Sequence, residues 1–296
     1  MTVLVTGATG TVGTQVVSQL VGRGAEVRAL VRDAGKTRLP SGVDVVQGDL
    51  LDVDAVRAAL GGVSTLFLLN AVVPDEFTQA LVTLNLAREA GIERIVYFSV
   101  IHSDLYVNVP HFAGKHAVER MIEQMGLNAT VLRPAYFINN DLSLKDAILG
   151  HGVYPMPVGD KGLAMVDARD IGEVAAIELL RRERSPAPLP PNRLNVVGPD
   201  LLTGPGIAAI WSETLGRPVA YAGGDTAAFE RTVRGSAPPW MAYDMRVMAE
   251  RFQSDGMIPE AGDAERLTRM LGRPLRSYRD FAQEAAAEAR KAAQTA

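Results

Sequence analysis

The sequence begins with MTVLVTGATGTVG, Met1–Gly13, and this stretch decides the fold. Its first part, Thr2 to Thr6, is a β-branched and mostly apolar run, which is typical of a buried parallel strand. A glycine-rich turn, Gly7 to Gly10, follows this strand. Apolar residues then recur at helical spacing at Val12, Val16, Val17, Leu20 and Val21. This order of elements predicts a cradle for phosphate, because the helix N-terminus presents free N–H groups and a partial positive charge.

The three glycines of the turn have different predicted roles. Gly7 permits the tight turn, Gly10 lets the backbone approach a pyrophosphate, and Gly13 lets the helix pack closely against the strand. The spacing is G-x-x-G-x-x-G rather than the commoner G-x-G-x-x-G, and such a turn often has only a structural role. Its position between a clear strand and a clear helix favours nucleotide binding. The candidate nucleotide-binding residues of this stretch are Gly7, Thr9, Gly10, Thr11, Val12 and Gly13.

The composition excludes several classes of function. The 296 residues include no cysteine, which excludes disulfides, thiolate metal sites and a cysteine nucleophile. The net charge of -4 is spread along the chain without a basic block, so neither nucleic acid nor a membrane is an expected partner. The four histidines show no metal-ligand spacing, and no metal is expected. Since no basic region with a cleavage site opens the sequence, we expect a cytoplasmic protein. A monomer and a homodimer both remain open as its oligomeric state.

Strand and helix patterns alternate through the first half of the chain. Further strands are predicted at 26–31, 43–47, 65–73, 94–100 and 129–132, with helices between them. Repeated units of this kind require right-handed crossovers. They predict an α/β fold with a Rossmann-type, doubly wound parallel sheet that binds ligands beyond the carboxyl ends of its strands.

The second half of the chain departs from this alternation. Helices are predicted at 142–149, at 171–182 with Asp170 as its cap, and at 206–215, 243–252 and 278–293, with one strand at 193–197. Residues 1–136, joined by 164–199, form the predicted dinucleotide-binding core. Residues 137–163 and 200–296 form a predicted smaller, mostly helical C-terminal lobe that binds the substrate.

Arg32 ends the second predicted strand, where dinucleotide-binding proteins contact the adenosine ribose. An acidic residue in this position hydrogen-bonds the 2′-hydroxyl of NAD, whereas an arginine suits the 2′-phosphate of NADP. We therefore expect NADP(H) in preference to NAD(H). The alternative is an ordinary surface arginine beside Asp33, which could partly neutralise it.

Four residues, two after the third predicted strand and two past the middle of the fourth, are further candidates for cofactor contact. Asp49, followed by Leu50, is placed to accept a hydrogen bond from the adenine amino group, although a turn role is an equal alternative. Asn70 and Ala71 lie where the ribose of a cofactor would pass. A polar residue in an apolar strand needs a partner, which is either a ligand or an internal hydrogen bond.

Several motifs together resemble the NmrA-like branch of the atypical short-chain dehydrogenases/reductases. They are Thr6–Gly13, Ala29–Arg32, Gly48–Asp49, Lys115–Glu119, Leu132–Pro134, Val166–Asp170 and Leu271–Pro274, and they span nearly the whole chain. This family includes NADPH-dependent quinone, isoflavone and triarylmethane dye reductases. It also includes NADP-sensing regulators that have no established catalysis.

The resemblance implies a catalytic region that lacks one usual residue. Short-chain dehydrogenases carry Tyr-x-x-x-Lys, and the matching stretch here is His111-Phe-Ala-Gly-Lys115. Lys115 is expected to hold the nicotinamide ribose, unless it is a solvated helix lysine. His111 is a candidate proton donor or simply a capping histidine. Ser99 matches a substrate-binding serine, unless its hydroxyl only satisfies the local backbone.

The segment after the sixth predicted strand supplies the remaining candidates. Pro134, Tyr136 and Phe137 are expected to contact the cofactor. Flat aromatic side chains also suit a flat substrate, although each is equally compatible with the core. The candidates for lining the substrate cleft are Tyr136, Phe137, Tyr154, Trp211 and Trp240.

The favoured function is an NADPH-dependent reductase that transfers hydride to a small conjugated or quinone-like substrate. Such acceptors need little proton assistance, which is compatible with the missing tyrosine. The first alternative is a non-catalytic NADP(H)-sensing regulator that binds a protein partner. A sugar-nucleotide epimerase is less favoured, because that chemistry depends on the missing tyrosine.

Overall fold

The computed structural model describes residues 2–295. These residues form two compact units. The first unit extends through Val107 and includes His111–Pro134 and Ala168–Val196. The second consists of Asn108–Pro110, Ala135–Asp167 and the chain from Val197 onward.

The described strands are short and mostly buried. They are β1 (Thr2–Val5), β2 (Glu26–Val31), β3 (Asp44–Gln47), β4 (Val63–Leu68), β5 (Arg94–Phe98), β6 (Ala129–Pro134), β7 (Val153–Tyr154), β8 (Asn192–Val196) and β9 (Ala220–Tyr221).

The α-helices begin and end at the following residues. They are α1 (Thr11–Gly22), α2 (Val53–Leu60), α3 (Glu76–Glu89), α4 (Pro110–Gln124), α5 (Ala168–Glu183), α6 (Gly204–Leu215), α7 (Thr226–Val233), α8 (Pro239–Ser254), α9 (Asp263–Leu271) and α10 (Tyr278–Thr295). Among the described residues, none of these helices is both long and apolar enough to cross a membrane.

Seven parallel strands form the sheet of the first unit, in the order β3-β2-β1-β4-β5-β6-β8. The strand order reverses direction between β1 and β4. In a doubly wound sheet the loops that leave the carboxyl ends of two such strands diverge and open a crevice. The predicted α/β, Rossmann-type doubly wound fold is confirmed.

Helices cover both faces of this sheet. Helix α5 packs against α1 and against β4, β5 and β6, whereas α2, α3 and α4 cover the opposite face. Alternating side chains of β4 show the two faces, since Leu66 and Leu68 belong to the core under α2–α4. Thr65, which precedes Leu66 and points to the opposite face, hydrogen-bonds Glu183 of α5.

The second unit is mostly helical, as the sequence predicts. Its only described strand pair joins β7 and β9, which are two residues long and parallel. Single β-bridges join Phe137 to Val166 and Leu163 to both Leu202 and Met257. The segment that follows β6 is therefore held within this unit by backbone pairing with residues near 166.

Several predicted element boundaries are wrong. Strand β4 ends at Leu68 rather than at residue 73, because the backbone of Leu69 bonds the Thr6 side chain instead of a neighbouring strand. Helix α5 begins at Ala168, so Asp170 lies inside its first turn and is not the cap.

In the second unit, the predicted helix at 142–149 is instead a 3₁₀ helix, Ile138–Leu144, followed by a π-helical turn, Asp146–Gly150. Helix α8 begins earlier than predicted, at Pro239, because proline fits the first turn of a helix. Strands β7 and β9 and helices α7 and α9 were not predicted.

Gly172 allows the close crossing of α1 and α5, and its substitution should destabilise the first unit. A Cβ at Gly172 would lie 2.4 Å from Gln15 Cβ and 3.1 Å from the backbone N of Val16. We expect Gly172→Ala to lower the free energy of unfolding by about 1–3 kcal/mol, because the backbones must separate. The control is Gly114→Ala in α4, where a Cβ would meet nothing within 4 Å. It should stabilise by up to about 1 kcal/mol. Urea unfolding measures both, and equal effects would contradict the assigned packing.

Candidate cofactor site

The Thr6 side chain joins the two loops that diverge from β1 and β4. Its hydroxyl donates a hydrogen bond to the carbonyl of Leu69 at 2.8 Å and accepts one from the N–H of Leu69 at 2.8 Å. The Thr6 N–H also donates to the carbonyl of Phe67 at 3.1 Å. The glycine turn after β1 and the loop that carries Asn70 are therefore fixed side by side at the point where the strand order reverses.

The glycine turn has the shape that a pyrophosphate requires. A Cβ at Gly13 would lie 2.0 Å from the carbonyl oxygen of Gly7, so only glycine lets the helix approach this closely. Gly7 has a φ of 61°, in the left-handed region that favours glycine. Thr9, Gly10 and Thr11 are exposed. This open turn leads directly into α1.

The N-terminus of α1 lacks a side-chain cap and has no acidic residue in its first turn. Side chains cap some other helices, for example α2 by Asp52 and α6 by Thr203, whereas α3, α8 and α9 also lack a side-chain cap. Free N–H groups at the start of α1, including that of Val12, are thus available to an anion. These features fit the pyrophosphate of a dinucleotide.

Arg32 is exposed just beyond β2, and within residues 2–295 it forms no hydrogen bond or ion pair. Asp33, which the sequence offered as its neutralising neighbour, instead accepts a hydrogen bond from the Gly35 N–H and pairs with Lys36 at 3.0 Å. The guanidinium is therefore available to a ligand phosphate.

Asp49 and Leu50 follow β3 with different surroundings. Asp49 is exposed, and one of its carboxylate oxygens accepts a hydrogen bond from the Leu51 N–H at 2.9 Å. This contact is that of a turn residue, and its adenine contact stays a prediction. Leu50 packs partly against the core under α2–α4.

Asn70 lies in the loop after β4, almost completely buried, and carries an unsatisfied acceptor. Its Nδ2 donates to Gln79 Oε1 at 3.4 Å, whereas its Oδ1 has no hydrogen-bond partner among the described residues. An unpaired buried oxygen is costly unless a ligand supplies the donor. A ribose hydroxyl would fit this requirement. The neighbouring Ala71 is exposed.

Lys115 is buried in α4 and is not a solvated helix lysine. Its Nζ contacts Glu76 Oε1 at 2.5 Å, and both side chains are less than 10% exposed, at 7% and 8%. The sequence pattern does not predict a role for Glu76. His111, one turn earlier, is half-buried and packs edge-on against the Phe112 ring, with ring centroids 4.7 Å apart.

Ser99 is engaged by a buried carboxylate. Its hydroxyl donates to Glu119 Oε1, which also accepts from the Ser103 hydroxyl at 3.1 Å. Arg133 donates to the same carboxylate through Nε at 3.0 Å and Nη2 at 2.5 Å. The single proton of the Ser99 hydroxyl is therefore directed to Glu119, neither to the backbone nor to a substrate.

Tyr97 of β5 is fully buried, and its hydroxyl has no hydrogen-bond partner among residues 2–295. Burial raises the pKa of this phenol well above its usual value, and the charges of Glu76 and Glu119 raise it further. Tyr97 therefore remains a neutral phenol at physiological pH.

The candidates after β6 have separate environments. Pro134 is buried, and its carbonyl accepts a hydrogen bond from the Ile101 N–H at 2.9 Å. In the second unit, Phe137 is held by its bridge to Val166. Tyr136 is half-buried, and its ring meets Phe252 edge-on, with centroids 5.9 Å apart.

A buried carboxyl, Asp141, organises the aromatic residues of the second unit. It accepts hydrogen bonds from the Tyr278 hydroxyl at 2.6 Å and from the Tyr136 hydroxyl at 3.4 Å. Trp211 Nε1 donates to the Tyr278 oxygen at 3.0 Å. Burial raises the pKa of Asp141 to about 6, although hydrogen bonds from the tyrosines oppose this rise.

Solvent exposure distinguishes three of the aromatic candidates. Trp211 and Tyr154 are fully buried and belong to the core. Trp240, at the start of α8, is 37% exposed and remains available to a ligand.

Within the first unit, this arrangement can bind a dinucleotide and orient it. It offers a glycine cradle, an unpaired arginine, an unsatisfied amide oxygen and a buried ammonium at the carboxyl edge of one sheet. Ser99 donates its proton to Glu119 rather than to a substrate. Tyr97 is fully buried in the core.

The sequence of the chain matches a family model and several known proteins. The NmrA-like family model matches residues 1–276. An NAD(P)H azoreductase of Xenophilus azovorans is 31% identical over 289 residues, which cover 96% of this chain and 98% of that protein. Quinone oxidoreductase 2 of Escherichia coli is 28% identical over 278 residues, which cover 92% and 94%.

A solved structure shows the same fold. The Escherichia coli NADPH-dependent quinone oxidoreductase complexed with NADPH matches with a TM-score of 0.82 and 24% sequence identity. The match covers 95% of this chain and 99% of that chain.

Asp141 should make stability depend on pH in a defined direction. The folded carboxyl keeps its proton up to about pH 6, whereas an ordinary aspartate loses it near 3.8. The free energy of unfolding should therefore fall by about 3 kcal/mol as the pH rises from about 4 to about 6, and this contribution should stay constant above that. Asp141→Asn removes the titration and keeps an oxygen acceptor for Tyr278. Urea unfolding between about pH 5 and about pH 7.5 should show the variant gaining on the wild type as the pH rises. Parallel stability curves would contradict this assignment.

Proposed function

The chain belongs to the NmrA-like family and is an NAD(P)H-dependent reductase, and we propose that it reduces small conjugated, quinone-like or azo substrates with NADPH. The observation that carries this proposal is the cradle joined by Thr6, in which Gly13 contacts Gly7 and the start of α1 is uncapped. The unsatisfied Oδ1 of Asn70 lies in the loop that Thr6 fixes beside this cradle.

Each residue of the site has a role in holding the cofactor. The turn from Gly7 to Gly13 would bind the pyrophosphate, Asn70 would accept from a ribose hydroxyl, and Lys115 would donate to the nicotinamide ribose. When bound, the nicotinamide supplies the hydride. The protein binds and orients it.

The proposed substrate class depends on which proton donors the site offers to a substrate. The tyrosine of Tyr-x-x-x-Lys is replaced by His111, and the Ser99 proton is directed to Glu119. A substrate that depends on strong proton donation by the enzyme is therefore a poor fit. Quinones and other extended conjugated acceptors yield stabilised anions that take protons from water. The names of the azoreductase and quinone oxidoreductase relatives support this class.

The preference for NADPH rests on Arg32. Its guanidinium is exposed and unpaired among the described residues, at the strand end where a 2′-phosphate is recognised. A carboxylate there would repel the phosphate and could accept from a 2′-hydroxyl instead.

We expect Arg32→Glu to weaken NADPH binding about tenfold or more while NADH binding changes by less than about twofold. Nicotinamide fluorescence measures both dissociation constants. Arg290→Glu makes the same charge change at an exposed position in α10 and should alter neither constant. Equal loss of NADPH and NADH binding in Arg32→Glu would refute the preference.

Reductase activity is tested by NADPH oxidation with a panel of quinones, azo dyes and triarylmethane dyes. We expect NADPH binding together with acceptor-dependent loss of reduced-nicotinamide absorbance. His111→Phe should retain most of the quinone rate, because a quinone does not need an enzymatic proton donor. Tight NADPH binding without oxidation by any acceptor would contradict the proposal and favour an NADP(H)-sensing regulator.

A further inference from the structure

Charged residues interrupt the buried stripes of α3 and α4, among them Glu76 and Lys115. The buried face of α3 continues from Glu76 through Ala80, Leu84 and Ala87, which lie at helical spacing. The buried face of α4 includes Phe112, Lys115, Val118 and Ile122. Glu76 and Lys115 thus occupy positions where each helix otherwise places mainly apolar side chains.

These two residues form an ion pair that is almost excluded from water. Lys115 Nζ lies 2.5 Å from Glu76 Oε1. Removing both charges from water costs several kcal/mol per ion, which the attraction between them roughly offsets. Replacing a buried ion pair by apolar side chains of similar volume is often neutral or stabilising. Stability alone therefore does not explain this pair.

The other nearby carboxylate is already engaged. Glu119, one turn after Lys115 on α4, accepts hydrogen bonds from Nε and Nη2 of Arg133 and from the hydroxyls of two serines. Glu76 is therefore the carboxylate that fixes the Lys115 ammonium. An ammonium has three donors, so one held by Glu76 leaves two in directions that this contact determines.

The location of Glu76 stabilises its negative charge and connects it to the loop after β4. It lies in the first turn of α3, where the helix dipole favours a negative charge. The loop that enters α3 contains Asn70, and the Leu69 backbone in that loop is bound by Thr6. The Glu76 contact therefore links the Lys115 ammonium to the same loop that carries the unsatisfied amide oxygen.

We propose that Glu76 is a positioning residue that directs the Lys115 ammonium toward the nicotinamide half of the cofactor. This inference rests on the proposed function, because it requires a dinucleotide in the first unit. In this chain a carboxylate from α3 orients the lysine.

The test compares two ligands in variants of the full-length protein. NADPH contains the nicotinamide half, whereas adenosine 2′,5′-bisphosphate contains only the adenosine half. We expect Glu76→Gln to weaken NADPH about tenfold and adenosine 2′,5′-bisphosphate by less than about twofold. Calorimetry measures both dissociation constants, and urea unfolding reports the stability of each variant.

Two further variants distinguish a loss of lysine positioning from a general loss of stability. Glu178→Gln removes a carboxylate that is similarly buried in α5, where it binds Arg181 at 2.8 Å and Thr130 at 3.0 Å. It should lower stability without changing the ratio of the two dissociation constants. In a Lys115→Met background, Glu76→Gln should have less than about a twofold further effect on NADPH binding, because Glu76 acts through the lysine.

The outcomes distinguish this inference from the proposed function. Equal weakening of both ligands by Glu76→Gln, or weakening of neither, overturns the role of Glu76. If Glu76→Gln does not fold, Glu76→Asp makes the same comparison, since its shorter side chain breaks the 2.5 Å contact and retains the charge. A smaller but still NADPH-selective loss is expected there. Failure of the unaltered protein to bind NADPH would contradict the proposed function itself.

Discussion

The candidate site depends on the pair of hydrogen bonds between the Thr6 side chain and the Leu69 backbone. They join the ends of β1 and β4, the two strands at which the order of the parallel sheet reverses. Without them, the loop after β4 would lack its anchor beside the glycine turn. The contact ends β4 at Leu68 and releases Asn70 from the sheet, so one hydroxyl sets both the strand boundary and the position of a candidate cofactor ligand.

Several buried charged groups of the first unit pair with one another. A few buried polar atoms have no hydrogen-bond partner among the described residues. Arg133 neutralises Glu119, and Glu76 neutralises Lys115. The Oδ1 of Asn70 remains without a donor among the described residues. A protein that holds its acids and bases in internal pairs is suited to orient a reactive cofactor, and much less to supply strong acid catalysis. This internal pairing of acids and bases fits substrates whose reduced forms take protons from water.

Much of the first unit could be predicted from the sequence, because its strands and helices follow local patterns. The glycine turn, Arg32 and the lysine of the family motif carry signals within a few residues of chain. The partners of Lys115 and Ser99 could not be predicted, since Glu76 and Glu119 meet them only after the helices pack on the sheet. A partial signal existed, because Glu76 occupies a position on an otherwise apolar stripe. In the second unit, α7 has no buried residue and β7 is two residues long, so neither has a strong periodic pattern.

We propose that one cradle holds the dinucleotide, that Asn70 accepts from a ribose hydroxyl and that Lys115 contacts the nicotinamide ribose. A crystal structure of the protein with NADPH bound tests this claim directly. We expect the pyrophosphate at the turn from Gly7 to Gly13, and ribose hydroxyls within hydrogen-bond distance of Asn70 Oδ1 and Lys115 Nζ. NADPH bound elsewhere, or bound here with both of these atoms still without a cofactor contact, would contradict the claim.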